Sequence, residues 1–227
     1  YSTYAIGIAT NRDAWVYNFS KIHLNNNVSN MVSFYNQQVE EYKGAINKNP
    51  KIKVEDFIDK DDTKISWTRG LRNRVVKTQS IAADSEVVTG LYRPFCKQLL
   101  YFSNELIESM GLALKLFPGG KEGNCLKNIG IILSGIGGAK PFSCLITENP
   151  TCMDIVEKGQ IFPLYWYEES KTRQLSLFDE NPKSEYIRHE GISNWILNEV
   201  RTRLKLKSID KEMIFYYVYG ILHSEDY

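Results

Sequence analysis

Val28, Met31, Val32, Tyr35, Val39, Tyr42 and Ile46 fall at steps of three and four along the chain. An α-helix turns once per 3.6 residues, so this spacing puts them on one face, with Asn, Gln and Glu elsewhere. The pattern predicts a long amphipathic helix, and a helix with one apolar face needs a surface to cover. The preceding residues offer one: Thr3–Thr10 (TYAIGIAT) and Ala14–Phe19 (AWVYNF) read as strands around a break at Asn11-Arg12-Asp13. The aromatic members of the stripe are therefore read as core, not as cofactor contacts.

Further on, Ile81–Tyr92 reads as a short helix capped by Asp84 or Ser85 and ended at Arg93-Pro94, because proline disfavours helical geometry in the residue before it. Lys97–Ser103, Ile129–Leu133 and Phe142–Thr147 read as strands. Gln160–Tyr167 is a further β-like run that Pro163 should confine to an edge or a bulge. After Pro182 the pattern becomes helical. Ile192, Trp195, Ile196, Val200 and Leu204 form one face, and Ile214, Phe215, Val218, Tyr219 and Leu222 another, with Asp210 and Glu212 as an acidic first turn. Strands first and helices last predict an α+β fold. It would hold a mixed or antiparallel sheet, a long N-terminal amphipathic helix and a helical C-terminal part, divided as 1–185 and 186–227.

With hydrophobic residues at 43% of 227, the chain can build an ordinary core and is not a disordered segment. The greasiest stretches, Ile129–Leu133 and Phe215–Leu222, fall well short of the roughly 18 residues of a membrane span. Residues 1–20 lack the basic start and apolar middle of a secretory signal. The four cysteines contain no CxxC pair and read as reduced thiols. The expectation is a cytoplasmic, membrane-free segment, beginning at Tyr1 and ending at Tyr227, of a longer polypeptide.

Catalytic signatures are sparse. His23, His189 and His223 stand far apart with no HExxH spacing, and no GxSxG elbow occurs. Ser134–Lys140 (SGIGGAK) follows an apolar strand as a phosphate loop would. However, Ala139 precedes the lysine and Pro141-Phe142 follows it, so the helix N-terminus that holds phosphate is missing. It remains a glycine-rich connection between strands, able to bring backbone N–H groups near a ligand, or a plain hairpin loop.

One segment departs from the even charge balance. KISWTRGLRNRVVK (Lys64–Lys77) holds Lys64, Arg69, Arg72, Arg74 and Lys77 with no acid, while acids outnumber bases in the rest of the chain. A local basic stripe on a near-neutral protein is either a polyanion contact or a solvated loop. Its Ser, Thr, Asn and Arg side chains are the mixture that phosphate positioning and guanine reading require, and Gly70 would permit close backbone approach. Trp67 is read as core or as a stacking surface, and Arg93 as a DNA contact or a structural arginine paired with a carboxylate. The segment itself is read as an exposed loop.

Taken together, YAIGIATNRDAWVYNFS (Tyr4–Ser20), ISWTRGLRNR (Ile65–Arg74), LYRPFCKQLLYF (Leu91–Phe102), SGIGGAKPFSCLIT (Ser134–Thr147), KGQIFPLYWY (Lys158–Tyr167) and IFYYVYGILHS (Ile214–Ser224) resemble the C-terminal target-recognition domain of Type ISP restriction–modification enzymes. Those are single polypeptides joining a nuclease, a translocase, an adenine methyltransferase and a recognition domain. The resemblance implies a fragment with no active site or cofactor of its own, within a parent that uses ATP, Mg²⁺ and S-adenosylmethionine. It implies double-stranded DNA and the upstream methyltransferase and helicase domains as partners. The residues expected to contact DNA are Thr68, Arg69, Arg72, Asn73, Arg74 and Lys77, then Arg93 and Lys97, then Ser134 and Lys140. Two other readings compete. One is an assembly domain docking through exposed Tyr165, Trp166 and Tyr167; the other is a small nuclease assembled from His189, Glu190 and Asp154.

Overall fold

A computed structural model describes residues 1–119, 125–170 and 186–225. In chain order its elements are β1 (Ala5–Ile6), α1 (Asp13–Val16), β2 (Tyr17–Asn18), α2 (Lys21–Lys48), α3 (Val54–Phe57), α4 (Arg69–Val76), β3 (Val87–Arg93), β4 (Cys96–Tyr101), α5 (Ala113–Leu116), β5 (Gly130–Leu133), β6 (Cys144–Thr147), β7 (Gln160–Pro163), β8 (Tyr165–Glu169), β9 (Tyr186–Glu190), α6 (Asn194–Leu204) and α7 (Lys211–Ile221). Helices and purely antiparallel strand pairs make it an α+β protein. It forms two compact units: Ile8–Met110, and Tyr1–Gly7 with the described residues from Gly111 onward.

In the unit Ile8–Met110, α2 lies against a three-stranded sheet of order β2-β4-β3 and against α4. Its predicted face is the buried one: Leu24, Val28, Met31, Val32, Tyr35, Val39 and Tyr42 are covered, and Ser20 caps its first turn. Ala14–Phe19, expected as a strand, begins instead as the single turn α1. Thr10 accepts a hydrogen bond from the Arg12 N–H and donates to the Asp13 carboxylate, which turns the chain before β-pairing can start at Tyr17. Ile81–Tyr92, expected as a helix, is extended, with β3 running antiparallel to β4. Asn36 of α2 holds both the N–H and the C=O of Ile81, and the Tyr101 hydroxyl accepts from the Ser85 N–H. Ser85 is thereby held in the extended segment and caps nothing.

In the other unit the strand order is β1-β7-β5-β6, and β8 pairs with β9. Phe215 of α7 joins Ile131, Cys144 and Leu164 in a core, with Val218, Tyr219 and Leu222 packed around it. Pro163 does not place β7 at an edge. The strand lies between β1 and β5, and Pro163 ends it past the short β1 pairing, where its missing N–H costs nothing. Both C-terminal helices start at side-chain caps, Ser193 and Asp210. α6 itself buries no residue, and Trp195 is exposed. Pro182 and the expected boundary at 185 lie outside the described residues; β9, the first element after it, pairs with β8. Among the described residues no helix is long and apolar enough to cross a membrane.

Val39 is fully buried on α2, whereas Arg72 of α4 is exposed. In urea melts Val39→Ala should cost about 1–3 kcal/mol and Arg72→Ala under about 0.5 kcal/mol.

Candidate nucleic-acid interface

The basic run is a helix, not a loop. An isolated helix of eight residues is marginal in water, so α4 depends on what fixes its ends. At the N-terminus Thr68 is the cap: its hydroxyl accepts from the Leu71 N–H at 3.4 Å and from Nη2 of Arg12 at 2.6 Å. The Glu108 carboxylate accepts from the Gly70 N–H, both oxygens at 3.3 Å. A Cβ at position 70 would lie 2.8 Å from Glu108, so the close approach that this glycine permits is to an internal carboxylate. At the C-terminus the Thr78 N–H bonds to Val75 O and the Gln79 N–H to Arg74 O, with Thr78 in the left-handed region. This is a Schellman closure. The Tyr35 hydroxyl of α2 then bonds to Gln79 O, tying that end to the core.

Arg12 is buried. Its Nε and Nη1 have no hydrogen-bond partner among the described residues, and burial pushes its pKa down to about 10 against the opposing pull of Glu108. Sequence reasoning missed Arg12 and Glu108, because a lone arginine after a Thr-Asn turn and a lone glutamate carry no spacing signal.

With Leu71 and Val75 buried, Arg69, Arg72, Asn73 and Val76 occupy the opposite face, spaced i, i+3, i+4 and i+7, and all are exposed. Lys77 is exposed at the C-cap, and Arg74 is half-buried. Among the described residues none of Arg69, Arg72, Arg74 and Lys77 is in an ion pair. Lys64 differs, with Asp59 at 2.7 Å and Asp61 at 3.5 Å. Those contacts hold the Lys64 ammonium above its ordinary value. Thr68, expected as a DNA contact, is buried and its hydroxyl is engaged, so its part is to start the helix. Trp67 takes the core alternative: its indole N–H donates to Asp59 O, and its ring lies 5.9 Å from that of Tyr35.

Arg93 and Lys97 belong to the same unit, on the β3–β4 hairpin. Arg93 lies 3.6 Å from Asp13 and 4.0 Å over the Tyr92 ring. Asp13 neighbours Arg12, so the Thr10–Asp13 turn links the start of α4 to this hairpin. Arg93 thus has the carboxylate partner of its structural alternative, while Lys97 is exposed.

Ser134 and Lys140 lie in the other unit. The Ser134 hydroxyl accepts from the Ser143 N–H and donates to Ser143 O, closing the β5–β6 connection. Gly135 passes Lys158 so closely that a Cβ would lie 2.2 Å from its carbonyl oxygen. The Glu157 carboxylate accepts from the N–H groups of Ala139 and Lys140 at 2.9 and 2.6 Å, and the Glu157 carbonyl accepts from Gly135. The loop's N–H groups do converge on an anion, and that anion is the protein's own. Lys140 keeps an exposed side chain.

The aromatics of the assembly reading are less exposed than expected. Trp166 stacks on His189 at 4.1 Å, Tyr165 packs under Arg188, and the buried Tyr167 donates to Lys127 O. His189 and Glu190 are successive residues of β9, so their side chains leave opposite faces. Among the described residues no group of three or more His, Cys, Asp and Glu is arranged to hold a metal ion.

The sequence model of the Type ISP C-terminal specificity domain matches residues 1–227. The chain belongs to this family. Among solved structures, it is similar to part of DrdV in a cryo-EM DrdV–DNA complex, at 30% identity and TM-score 0.77, over 98% of this chain and 19% of that one. It is similar to the Type ISP restriction–modification enzyme LlaGI, a nuclease-deletion mutant with a DNA substrate mimic, at 31% identity and TM-score 0.75, over 100% and 18%. DNA-bound LlaBIII, an ATP-dependent Type ISP enzyme, matches at 28% and TM-score 0.75, over 100% and 13%. This specificity domain therefore spans less than a fifth of the length of those proteins. No curated protein matches it.

Thr68→Val keeps the shape but removes both hydrogen bonds to the hydroxyl, and should cost about 1–2 kcal/mol in urea melts. The second test is pH. Hydrogen bonds from Ala139 and Lys140 hold Glu157 below its ordinary value of 4.5. Its contribution is therefore present above that value and fades as pH falls through the lowered folded pKa. Amide exchange at Ala139 and Lys140, corrected for its intrinsic pH dependence, should lose protection in that acid range, and Glu157→Gln should abolish the transition.

Proposed function

We propose that this specificity domain binds double-stranded DNA and reads its sequence through the outer face of α4. The observation that carries the reading is a helix capped at both ends, with Arg69, Arg72 and Asn73 exposed on one face and no acid in its sequence. Arginine forks can meet guanine O6 and N7 in bidentate pairs, and asparagine can do the same at adenine. Lys77, and Arg74 where it reaches past its half-buried stem, supply phosphate contacts; Lys97 and Lys140 are further cations for the backbone. Arg93, braced by Asp13, orients the hairpin. Support comes from DrdV, LlaGI and LlaBIII, which were each solved with DNA and share this fold over nearly the whole chain.

In the longer polypeptide the domain would orient a target adenine for an upstream methyltransferase and serve the ATP-dependent restriction machinery. ATP, Mg²⁺ and S-adenosylmethionine would be held by the other parts. This chain contributes recognition and no chemical step, and it works in the cytoplasm with the DNA.

The test uses a duplex that the chain selects from a randomised library, beside a scrambled duplex at matched salt. Arg72→Ala, in the middle of the exposed face, should lose about 1–3 kcal/mol on the selected duplex and little on the scrambled one. Lys77→Ala should weaken both alike and lower the salt slope by about one. Lys64→Ala, already neutralised by Asp59 and Asp61, should change neither. Uniform loss for Arg69→Ala, Arg72→Ala and Asn73→Ala would make α4 a phosphate clamp and move base reading elsewhere.

A further inference from the structure

The β3–β4 register places Arg93 opposite Cys96, so the hairpin closes through only two residues, Pro94 and Phe95. Phe95 has φ of 60°, in the left-handed region. A tight turn with proline first and positive φ second is the seat of glycine or asparagine, which enter that region readily. A bulky side chain there is an outlier, and such strain persists where the surroundings impose it and clusters at functional positions. Here the seat holds a phenylalanine that is 92% exposed, above every other exposed aromatic of the described residues. Packing among the described residues does not account for the ring, which is almost wholly exposed on a backbone that would favour glycine.

The hairpin beneath is stiff. Tyr92 packs against Tyr17 at 4.8 Å and lies under the Arg93 guanidinium, which reaches Asp13. From Val87 to Ser103 the sequence has no acid, and Arg93 and Lys97 flank the apex. An apolar ring at the tip of a braced hairpin, with the exposed Lys97 beside it and Arg93 held by Asp13, fits an aromatic base stack within a polyanion. Apolar side chains at such positions wedge between base steps, while neighbouring cations hold phosphates.

We infer that Phe95 is a DNA wedge, inserting its ring at a base step of the bound duplex and unstacking it locally. This rests on the DNA-reading role proposed above and adds a second contact mode, in which α4 reads base edges and the hairpin deforms the stack. A deformation of this kind discriminates sequences by how readily each step opens, without any hydrogen bond to a base.

The experiment compares the 227-residue chain with Phe95→Gly, Phe95→Ala and Phe95→Trp on the selected duplex. Phe95→Gly relieves the backbone and should raise the melting temperature or leave it unchanged, so lost binding would not mean lost folding. Two readouts are taken: affinity by fluorescence polarisation, and permanganate reactivity of thymines, which reports unstacking. The wild-type chain and Phe95→Trp should produce a hyper-reactive thymine at a fixed position. Phe95→Gly and Phe95→Ala should lose that reactivity and bind on the order of 10-fold more weakly, with the salt slope unchanged. If Phe95→Gly binds and footprints as the wild type does, the wedge is wrong while the DNA-reading role stands. If the wild-type chain binds no duplex even at low salt, both fall.

Discussion

The hydroxyl of Thr68 is where the proposed recognition surface is fixed. It accepts from the first turn of α4 and from the buried guanidinium of Arg12, so one oxygen joins the start of a short helix to the turn that opens the unit. Without that junction an eight-residue helix containing a glycine has little reason to persist, because nucleation of a helix is unfavourable and its propagation gains are small. The same turn carries Asp13, the partner of Arg93. A single stretch, Thr10–Asp13, thus sets the positions of both the helix and the hairpin. A group that reads base edges must be held to within a fraction of an ångström, so these buried polar contacts serve geometry as much as stability.

Internal carboxylates decide which positive groups are left for a ligand. Glu108 occupies the N–H of Gly70, Glu157 occupies the N–H groups of the glycine loop, and Asp59 and Asp61 take Lys64. By sequence alone Gly70, the glycine loop and Lys64 each offer donors or charge that an anion could use. Once they are satisfied from within, the outer face of α4 and Lys77 keep cations with no ion-pair partner among the described residues, as Lys97 and Lys140 do. The basic run is in this sense narrower than its composition suggests, and better defined.

The legible parts of the fold are those in which neighbours in sequence decide the outcome. The α2 stripe, strands β4 to β6 and α7 follow from apolar periodicity and local caps, whereas α6 forms where expected but, among the described residues, buries none of its own. The failures have two causes, one remote in sequence and one local. Ile81–Tyr92 is extended because Asn36 and Tyr101, remote in sequence, hold its backbone, and β3 finds its partner across the Pro94–Phe95 turn. Ala14–Phe19 begins as a helical turn because Thr10 and Asp13 bond before the strand can pair. α4 did leave a signal, with Thr68 at a cap position and Leu71 and Val75 four apart, but Gly70 and the density of arginines obscured it. The site was legible as charge. Which charges are free depended on Glu108, Glu157, Asp59 and Asp61, and only tertiary structure shows where those carboxylates fall.

On the proposed reading, the division of labour along α4 lets a domain of this kind change its target without losing its fold. Thr68, Leu71 and Val75 hold the helix to the unit, while Arg69, Arg72, Asn73 and Val76 are exposed on its outer face. Exchanging exposed residues on a helix capped at both ends alters stability by a few tenths of a kcal/mol, whereas the same changes alter which base edges can be paired. The strained positions bordering this surface point the same way. Thr78 and Phe95 hold left-handed backbone after α4 and at the hairpin apex, as Lys158 and Lys205 do elsewhere. Strain of this kind is tolerable only in a frame that over-determines it, and here the frame is the buried Arg12–Thr68 junction and the sheet beneath. Sequence reading by side chains demands rigid supports with variable tips, and in the proposed mode the supports set the register on the duplex while the tips choose the bases.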